Sequence, residues 1–245
     1  YTQTVRTLGP TNHYSKNGTP TAGGLIIVLF LIIDFLTIKI VNNYYFNFKD
    51  FIFIIRIILF SILGVLDDIK IINKRNNEGL KPKFKIILEC MFIIILYIIM
   101  KRNNYDNVLS IGHVNINLGL FSVLFIIFYV IAWSNSFNIT DGLDGLASSL
   151  SLPLLVGLFI IGKSEKNEFL VISSLCMFFS IIGFLVFNFH PALVFMGNVG
   201  SHAIGAGIGV IGILTKNEIT LAIMGLVFVF ETISVILQVL YFKKT

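Results

Sequence analysis

Eight long runs of Ile, Leu, Phe and Val dominate the chain, at about 23–41, 48–66, 84–100, 117–133, 143–162, 169–188, 201–215 and 219–241. Most approach the roughly 20 residues that a helix needs to cross a bilayer. In hydrocarbon every backbone polar group must be bonded within the protein, so only helices and closed barrels span. These runs lack the alternation of polar and apolar residues that barrel strands require. With 56% hydrophobic and 13% charged residues, an ordinary water-soluble domain is excluded. The expected fold is all-α, a polytopic membrane helix bundle of about eight transmembrane helices in a single domain over 1–245. The seventh run is short and glycine-rich (Gly205, Gly207, Gly209, Gly212), which suits close helix packing or a tilted segment buried in protein.

Residues 1–22 are polar and hold no apolar core region, so no secretory signal opens the chain, and a first residue of Tyr predicts a start inside a longer protein. Cys90 and Cys176 each lie in an apolar run and read as packed thiols rather than as a disulfide framework. The net charge of +5 is assigned to topology and to anionic lipid or substrate, not to nucleic acid. With eight crossings, both tails share one side with the loops at 67–83, 134–142 and 189–200. That side carries ten Lys and Arg against seven opposite, six of them within Lys70 to Lys85, which predicts that it faces the cytoplasm.

Four unusual polar stretches fall on this same side: "SKNGTPTAGG" (15–24), "GVLDDIK" (64–70), "NSFNITDGLDG" (135–145) and "NFHPALVFMGNVGS" (188–201). Their coincidence is what a shared active site at the membrane surface would produce. Asp67 and Asp68 close the second run, where the negative end of a helix dipole disfavours carboxylates. Either the pair is a solvated helix end relieved by Lys70 and Lys74, or it holds Mg²⁺ or accepts a proton from a phosphate or hydroxyl nucleophile. Asp141 and Asp144, three apart at the start of the fifth run, lie on one face once helical. Capping by Thr140 or Asp141 is the plain reading. It leaves Asn135, Asn138, Asp144 and two glycines unexplained, whereas converging amide and carboxylate oxygens suit a hard cation and a ligand rich in hydroxyls.

"FMGNVGS" sets Phe195 beside glycines just before a helix N-terminus, where backbone N–H groups favour anions. Phe195 either stacks on a base or anchors at the interface. His190 and His202 read as packed or interfacial, and the loop Lys70 to Lys85 as a topology signal or a site for a lipid headgroup or diphosphate. Asp34, Arg56, Glu89 and Glu231 lie inside apolar runs, where ionisable groups are functional candidates. Asp34 and Arg56, near run ends, are expected to snorkel or to pair.

"GTPTAGG", "LDDIK", "NITDGLDGLA", "FMGNVGSHAIGA" and "VFVFETISVILQV", in this order across nearly the whole chain, resemble the phospho-N-acetylmuramoyl-pentapeptide-transferase family of the polyprenyl-phosphate N-acetylhexosamine-1-phosphate transferase superfamily. The resemblance implies transfer of phospho-MurNAc-pentapeptide from a UDP-sugar nucleotide to undecaprenyl phosphate, giving lipid I and UMP in peptidoglycan synthesis. It implies Mg²⁺ as cofactor, a multi-pass protein of the bacterial plasma membrane with a cytoplasmic active site, and leaves room for a homodimer. Matched by motif, Asp67, Asp68 and Asp141 carry the catalytic roles, and Asn138, Asn198 and Asp68 the metal. Lys16 and Thr21 line the substrate cleft, Gly142, Leu143, Asn188 and Phe195 match the uracil pocket, and Asp144 and Gly197 border the nucleotide-sugar.

The family motif reads M-G-D where this chain has Met196-Gly197-Asn198, which removes one charge that favours Mg²⁺. The family's plan is ten spans, the first and last of which lie beyond the two ends of this chain, the last together with a histidine-rich loop. An impaired enzyme is therefore expected. Three readings compete with it: a sister enzyme moving GlcNAc-1-phosphate to polyprenyl phosphate, a catalytically silent membrane scaffold of the same fold, and a transporter suggested by the intramembrane charges.

Overall fold

The computed structural model describes residues 19–21, 23–74, 79–112 and 114–242. In chain order its elements are α1 (Gly23–Val41), α2 (Phe48–Lys74), α3 (Pro82–Arg102), β1 (Val108–Ile111), β2 (Val114–Asn117), α4 (Phe121–Thr140), α5 (Leu146–Ser164), α6 (Glu168–Asn188), α7 (Gly197–Thr215), α8 (Glu218–Met224) and α9 (Leu226–Phe242). Every apolar run has become helix, because a continuous aliphatic and aromatic run can bury its side chains all round while the helix bonds its own backbone.

Three departures from the sequence reading have physical causes. The connector before α4 is an antiparallel hairpin, Val108 opposite Asn117 and Ile111 opposite Val114, so the expected span from 117 starts instead at Phe121. The eighth run is two helices bent by 67° at Gly225. A Cβ on Gly225 would lie 2.9 Å from Cζ2 of the Trp133 indole, so the chain turns where that ring presses on it. Finally, five helices (α1, α4, α5, α6, α7) are each long and apolar enough to cross a membrane, and α8 with α9 makes a sixth as one bent span, against the eight expected. α2 and α3 fall outside that group because they carry charge: Asp50, Arg56, Asp67 and Asp68 on α2, and Lys85, Glu89 and Lys101 on α3. With 27 and 21 residues they measure about 40 and about 31 Å, long enough to cross.

Contacts at the two ends show that successive long helices alternate in direction. At one end the start of α1 meets the start of α7, with Gly23 N donating to Phe195 O (3.1 Å) and Gly24 N to Met196 O (2.9 Å). At the other, Lys39 at the end of α1 pairs with Asp50 of α2 (3.0 Å) and with Glu168 of α6. There too Tyr129 Oη donates to Glu218 O (2.9 Å) and Lys216 Nζ to Val108 O (2.9 Å). The four polar stretches share the first end, as parity required, so far as they lie within the described residues.

α7 is the axis of the bundle, buried from Val199 to Thr215 and packed along α2, α4 and α1. Its glycines make this possible. A Cβ on Gly200 would sit 2.7 Å from Gly24 Cα, and one on Gly64 of α2 would sit 2.5 Å from Val199 Cα. These backbones touch, as small residues allow. Arg56 does not pair with Asp34: it lies over the Phe60 ring instead.

Candidate active site at one end of the bundle

α2 outruns its apolar part, so Asp67 and Asp68 lie on a polar turn of the helix at one end of the bundle, Asp67 buried and Asp68 half-buried. The two carboxylates diverge. Asp68 Oδ1 accepts from the backbone N of Asn198 (3.3 Å) and from its Nδ2 (2.8 Å). Asn198 Oδ1 in turn accepts from Asn138 Nδ2 (2.8 Å), which also reaches Ser201 Oγ (2.7 Å). Asp68, Asn198 and Asn138 are therefore one hydrogen-bonded chain across α2, α7 and α4. Gly197, at φ +72°, opens α7 in the left-handed region that glycine takes readily. A Cβ there would lie 2.8 Å from Thr21 O and 3.1 Å from Asp68 Oδ2, so Thr21 closes the same corner.

Asp67 faces away from that chain. Its Oδ1 accepts from Leu80 N and its Oδ2 pairs with Lys85 Nζ at 3.3 Å, which ties the end of α2 to the start of α3. Asp141 follows the last turn of α4, and part of its surface stays accessible. Burial, and then the charge of Asp68, push its carboxyl well above the ordinary range. Burial likewise pushes Asp68 up to about 6, against the pull of the Asn198 hydrogen bonds, with Asp67 adding repulsion. Two acids that resist ionisation within electrostatic reach of each other form a place where a cation would be welcome.

The second group of expected residues forms an adjoining cluster built by the same two loops. Asn188 is buried, with Oδ1 accepting from Gly145 N (3.1 Å) and Nδ2 donating to Val194 O (2.9 Å). Its amide holds the loops 141–145 and 189–196 together. Asp144 Oδ2 accepts from Ala192 N (3.2 Å) and meets His190 Nδ1 (3.1 Å). That arrangement leaves Gly142 and Leu143 exposed at the tip. Phe195 is half-buried, its N donating to Pro20 O (2.8 Å). Lys16 lies outside the described residues.

Sequence reasoning missed several partners. Ser201 shares a face with Asn198 by its i, i+3 spacing at the start of α7, a signal that was present. Nothing local tied Lys85 to Asp67. Asn135, counted with the polar cluster, instead gives its Nδ2 to Glu89 (3.3 and 3.2 Å), while His202 Nδ1 meets Ser134 Oγ at 2.8 Å inside the bundle.

The donor types at the site are the hard oxygens that Mg²⁺ takes. Among the described residues no three Asp, Glu, His or Cys groups stand together as a cage. Mg²⁺ rarely uses such a cage, since it keeps several waters and binds one or two carboxylates together with substrate phosphates. Asp68 and Asp141 meet that smaller requirement. Because Asn138 spends its Nδ2 on Asn198 and Ser201, its carbonyl oxygen is left for another partner.

The family model described as glycosyl transferase family 4 matches residues 51–216, which includes α2 with Asp68, α4 with Asn138 and α7 with Asn198. The chain is 39% identical over 246 residues to a phospho-N-acetylmuramoyl-pentapeptide-transferase of Listeria monocytogenes serovar 1/2a, covering 99% of this chain and 75% of that protein. Proteins of the same name from Geobacillus sp. (strain WCH70) and Anoxybacillus flavithermus are 39% and 40% identical, again over 99% of this chain and 75% of their own length. Likeness at this level along nearly the whole chain places it, as a multi-pass membrane protein, in glycosyl transferase family 4, among the phospho-N-acetylmuramoyl-pentapeptide-transferases.

Proposed function

We propose that this chain transfers phospho-MurNAc-pentapeptide from UDP-MurNAc-pentapeptide to undecaprenyl phosphate, forming lipid I and releasing UMP, at the cytoplasmic face of a bacterial plasma membrane. The observation that carries this reading is the hydrogen-bonded chain from Asp68 through Asn198 to Asn138, with Asp141 within electrostatic reach. In the reaction an oxygen of the lipid phosphate bonds to the sugar-linked phosphorus while the diphosphate P–O bond breaks and UMP departs. With Mg²⁺ bound by Asp68, Asp141 and the amide oxygens, repulsion between the two anionic reactants would be screened. Asp68, its carboxyl raised to about 6 by burial, would give up its proton as it takes the ion. Asp67 and Lys85 position that turn of α2. Gly142, Leu143 and Phe195 border the uracil, Asp144 and Asn188 hold those loops in place, and Thr21 and Gly197 line the cleft, to whose substrate Lys16 is assigned by its motif. Residues 1–245 act in this reading as one transmembrane domain.

The test is lipid I and UMP detection by mass spectrometry with purified protein, both substrates and Mg²⁺. Mg²⁺-dependent appearance of both products supports the assignment. UDP-GlcNAc consumed in preference, in direct competition, would move it to the sister chemistry. One observation favours a second reading, a silent or weakened member of the family: the Asn198 amide already satisfies Asp68 without any cation. Calorimetry separates the two, since a silent member binds the UDP-sugar with no turnover.

A further inference from the structure

Arg56 is the largest side chain fully enclosed in the bundle, 1% exposed and placed in the first half of α2. Its guanidinium lies 4.0 Å from the centroid of the Phe60 ring. Neither Nε nor Nη2 has a hydrogen-bond partner among the described residues. These two nitrogens form one edge of the guanidinium, the edge that can grip an anion through two N–H bonds. Arg56 also lines a small cavity where α2, α3, α4 and α7 meet, and the other lining side chains, Ile52, Ile93, Leu96, Ile126 and Val210 among them, are all aliphatic or thioether. At about 10 Å³ the cavity has room for one water-sized particle.

A cation enclosed in apolar surroundings, with donors unmet, is costly unless an anion is paired with it. The carboxylate in electrostatic reach is Glu89 on α3, but both its oxygens accept from Asn135 Nδ2, at 3.3 and 3.2 Å. A water molecule could accept from the free edge, yet its own two hydrogens would find no side-chain acceptor in this lining. A monatomic anion needs donors only, and it also cancels the charge.

We propose that the cavity beside Arg56 is a binding site for one monovalent anion of halide size, chloride in a cell, held by Nε–H and Nη2–H. The ion would tie together the four helices that carry Asp68, Lys85, Asn138 and Asn198, and so would stabilise the scaffold of the site without entering its chemistry. This proposal does not depend on which reaction the chain performs.

The experiment purifies the full chain in chloride, in bromide and in gluconate, an anion too large for the cavity, at equal ionic strength. Melting temperatures several degrees higher in both halides than in gluconate are expected, because a ligand that binds only the folded state stabilises it. Arg56→Leu, which places an apolar side chain in an apolar setting, should melt alike in all three. Crystals grown in bromide should show an anomalous peak within hydrogen-bond distance of Arg56 Nε and Nη2, a readout that needs no variant. Equal melting of the parent in all three salts, or a halide effect that survives in Arg56→Leu, overturns the proposal. So does a bromide map with no peak beside Arg56.

Discussion

Asn198 on α7 donates its side-chain amide to Asp68 Oδ1 on α2 at 2.8 Å and turns its own carbonyl to Asn138. A neutral group thus satisfies a carboxylate that would otherwise call for a cation. Asn198→Asp removes the donor and sets a second acid against Asp68. In EDTA the variant should melt several degrees below the parent, and Mg²⁺ should restore it, because two carboxylates bind the ion better than one. Lipid I formation should rise severalfold. Equal melting and equal turnover in parent and variant would show that the amide does not limit the metal.

Asp68 and Asp141 are both held above the ordinary carboxylate range, chiefly by burial, Asp68 to about 6 from 3.8. Between those values the folded chain keeps a proton that the unfolded chain has released, so stability falls as pH rises through this window. Melting temperature without divalent ions should therefore decline from about pH 4 upward, Asp68 contributing up to about pH 6 and Asp141 carrying the decline beyond it. Asp68→Asn should flatten the decline, and Mg²⁺ should oppose it in the parent at neutral pH. A profile that rises over the same range would contradict the assigned direction.

Lys85 pairs with Asp67 at 3.3 Å, and Leu80 N donates to the other oxygen of the same carboxylate. Lys85→Met leaves Asp67 mostly buried without its cation, at a cost of roughly 1 to 3 kcal/mol for a pair this enclosed. Since the pair positions the turn that carries Asp68, turnover should fall about tenfold, the equivalent of ~1.4 kcal/mol. Asp67→Asn with Lys85→Met should be no worse than the poorer single variant, because the two act as a unit. Additive losses in that cycle would mean that each residue works alone.

The helices were legible because an uninterrupted apolar run has few ways to satisfy its backbone in lipid. α1 and α6 match their runs almost residue for residue. Their ends were less legible: α2 continues to Lys74 through a polar turn, and the eighth run breaks at Gly225 under the Trp133 ring, a contact between residues distant in sequence. At the site, Asp68, Asn138 and Asn198 could be picked out as polar groups at the ends of apolar runs. Their pairing could not, nor could the retreat of Asp67 to Lys85 and of Asn135 to Glu89. Asn188, assigned to the uracil pocket by resemblance, has a side chain that bonds Gly145 and Val194, a pairing its position in the sequence does not announce. Such choices are made by which side chain is nearest in space.

Gly64 sits where α2 crosses α7. An added Cβ would meet Asn198 O and lie 2.5 Å from Val199 Cα, backbone atoms that cannot rotate away. Gly64→Ala should therefore push the two helices apart, at a cost of about 1 to 3 kcal/mol for overpacking. It should also weaken the Asp68 to Asn198 bond four residues further on. Expected are a lower melting temperature and a loss of turnover larger than the loss of folded protein, compared by size-exclusion chromatography. Wild-type stability in this variant would refute the close approach.

Lys39 lies at the end of the bundle opposite Asp68, about 22 Å along α1 from Gly24. It is 2% exposed, pairs with Asp50 at 3.0 Å and also bonds Glu168, while Asp50 itself is 0% exposed and its Oδ1 has no partner among the described residues. Lys39→Met strands that buried carboxylate at a cost of about 3 kcal/mol, whereas replacing both members of such a pair often costs far less. Lys39→Met should unfold at lower denaturant than the parent, and Lys39→Met with Asp50→Asn should recover most of the difference. Turnover per folded molecule should be unchanged in both, because the perturbation lies at the end of the bundle opposite the chemistry. A selective loss of turnover in folded Lys39→Met would instead mean that the two ends of the bundle are coupled through α1.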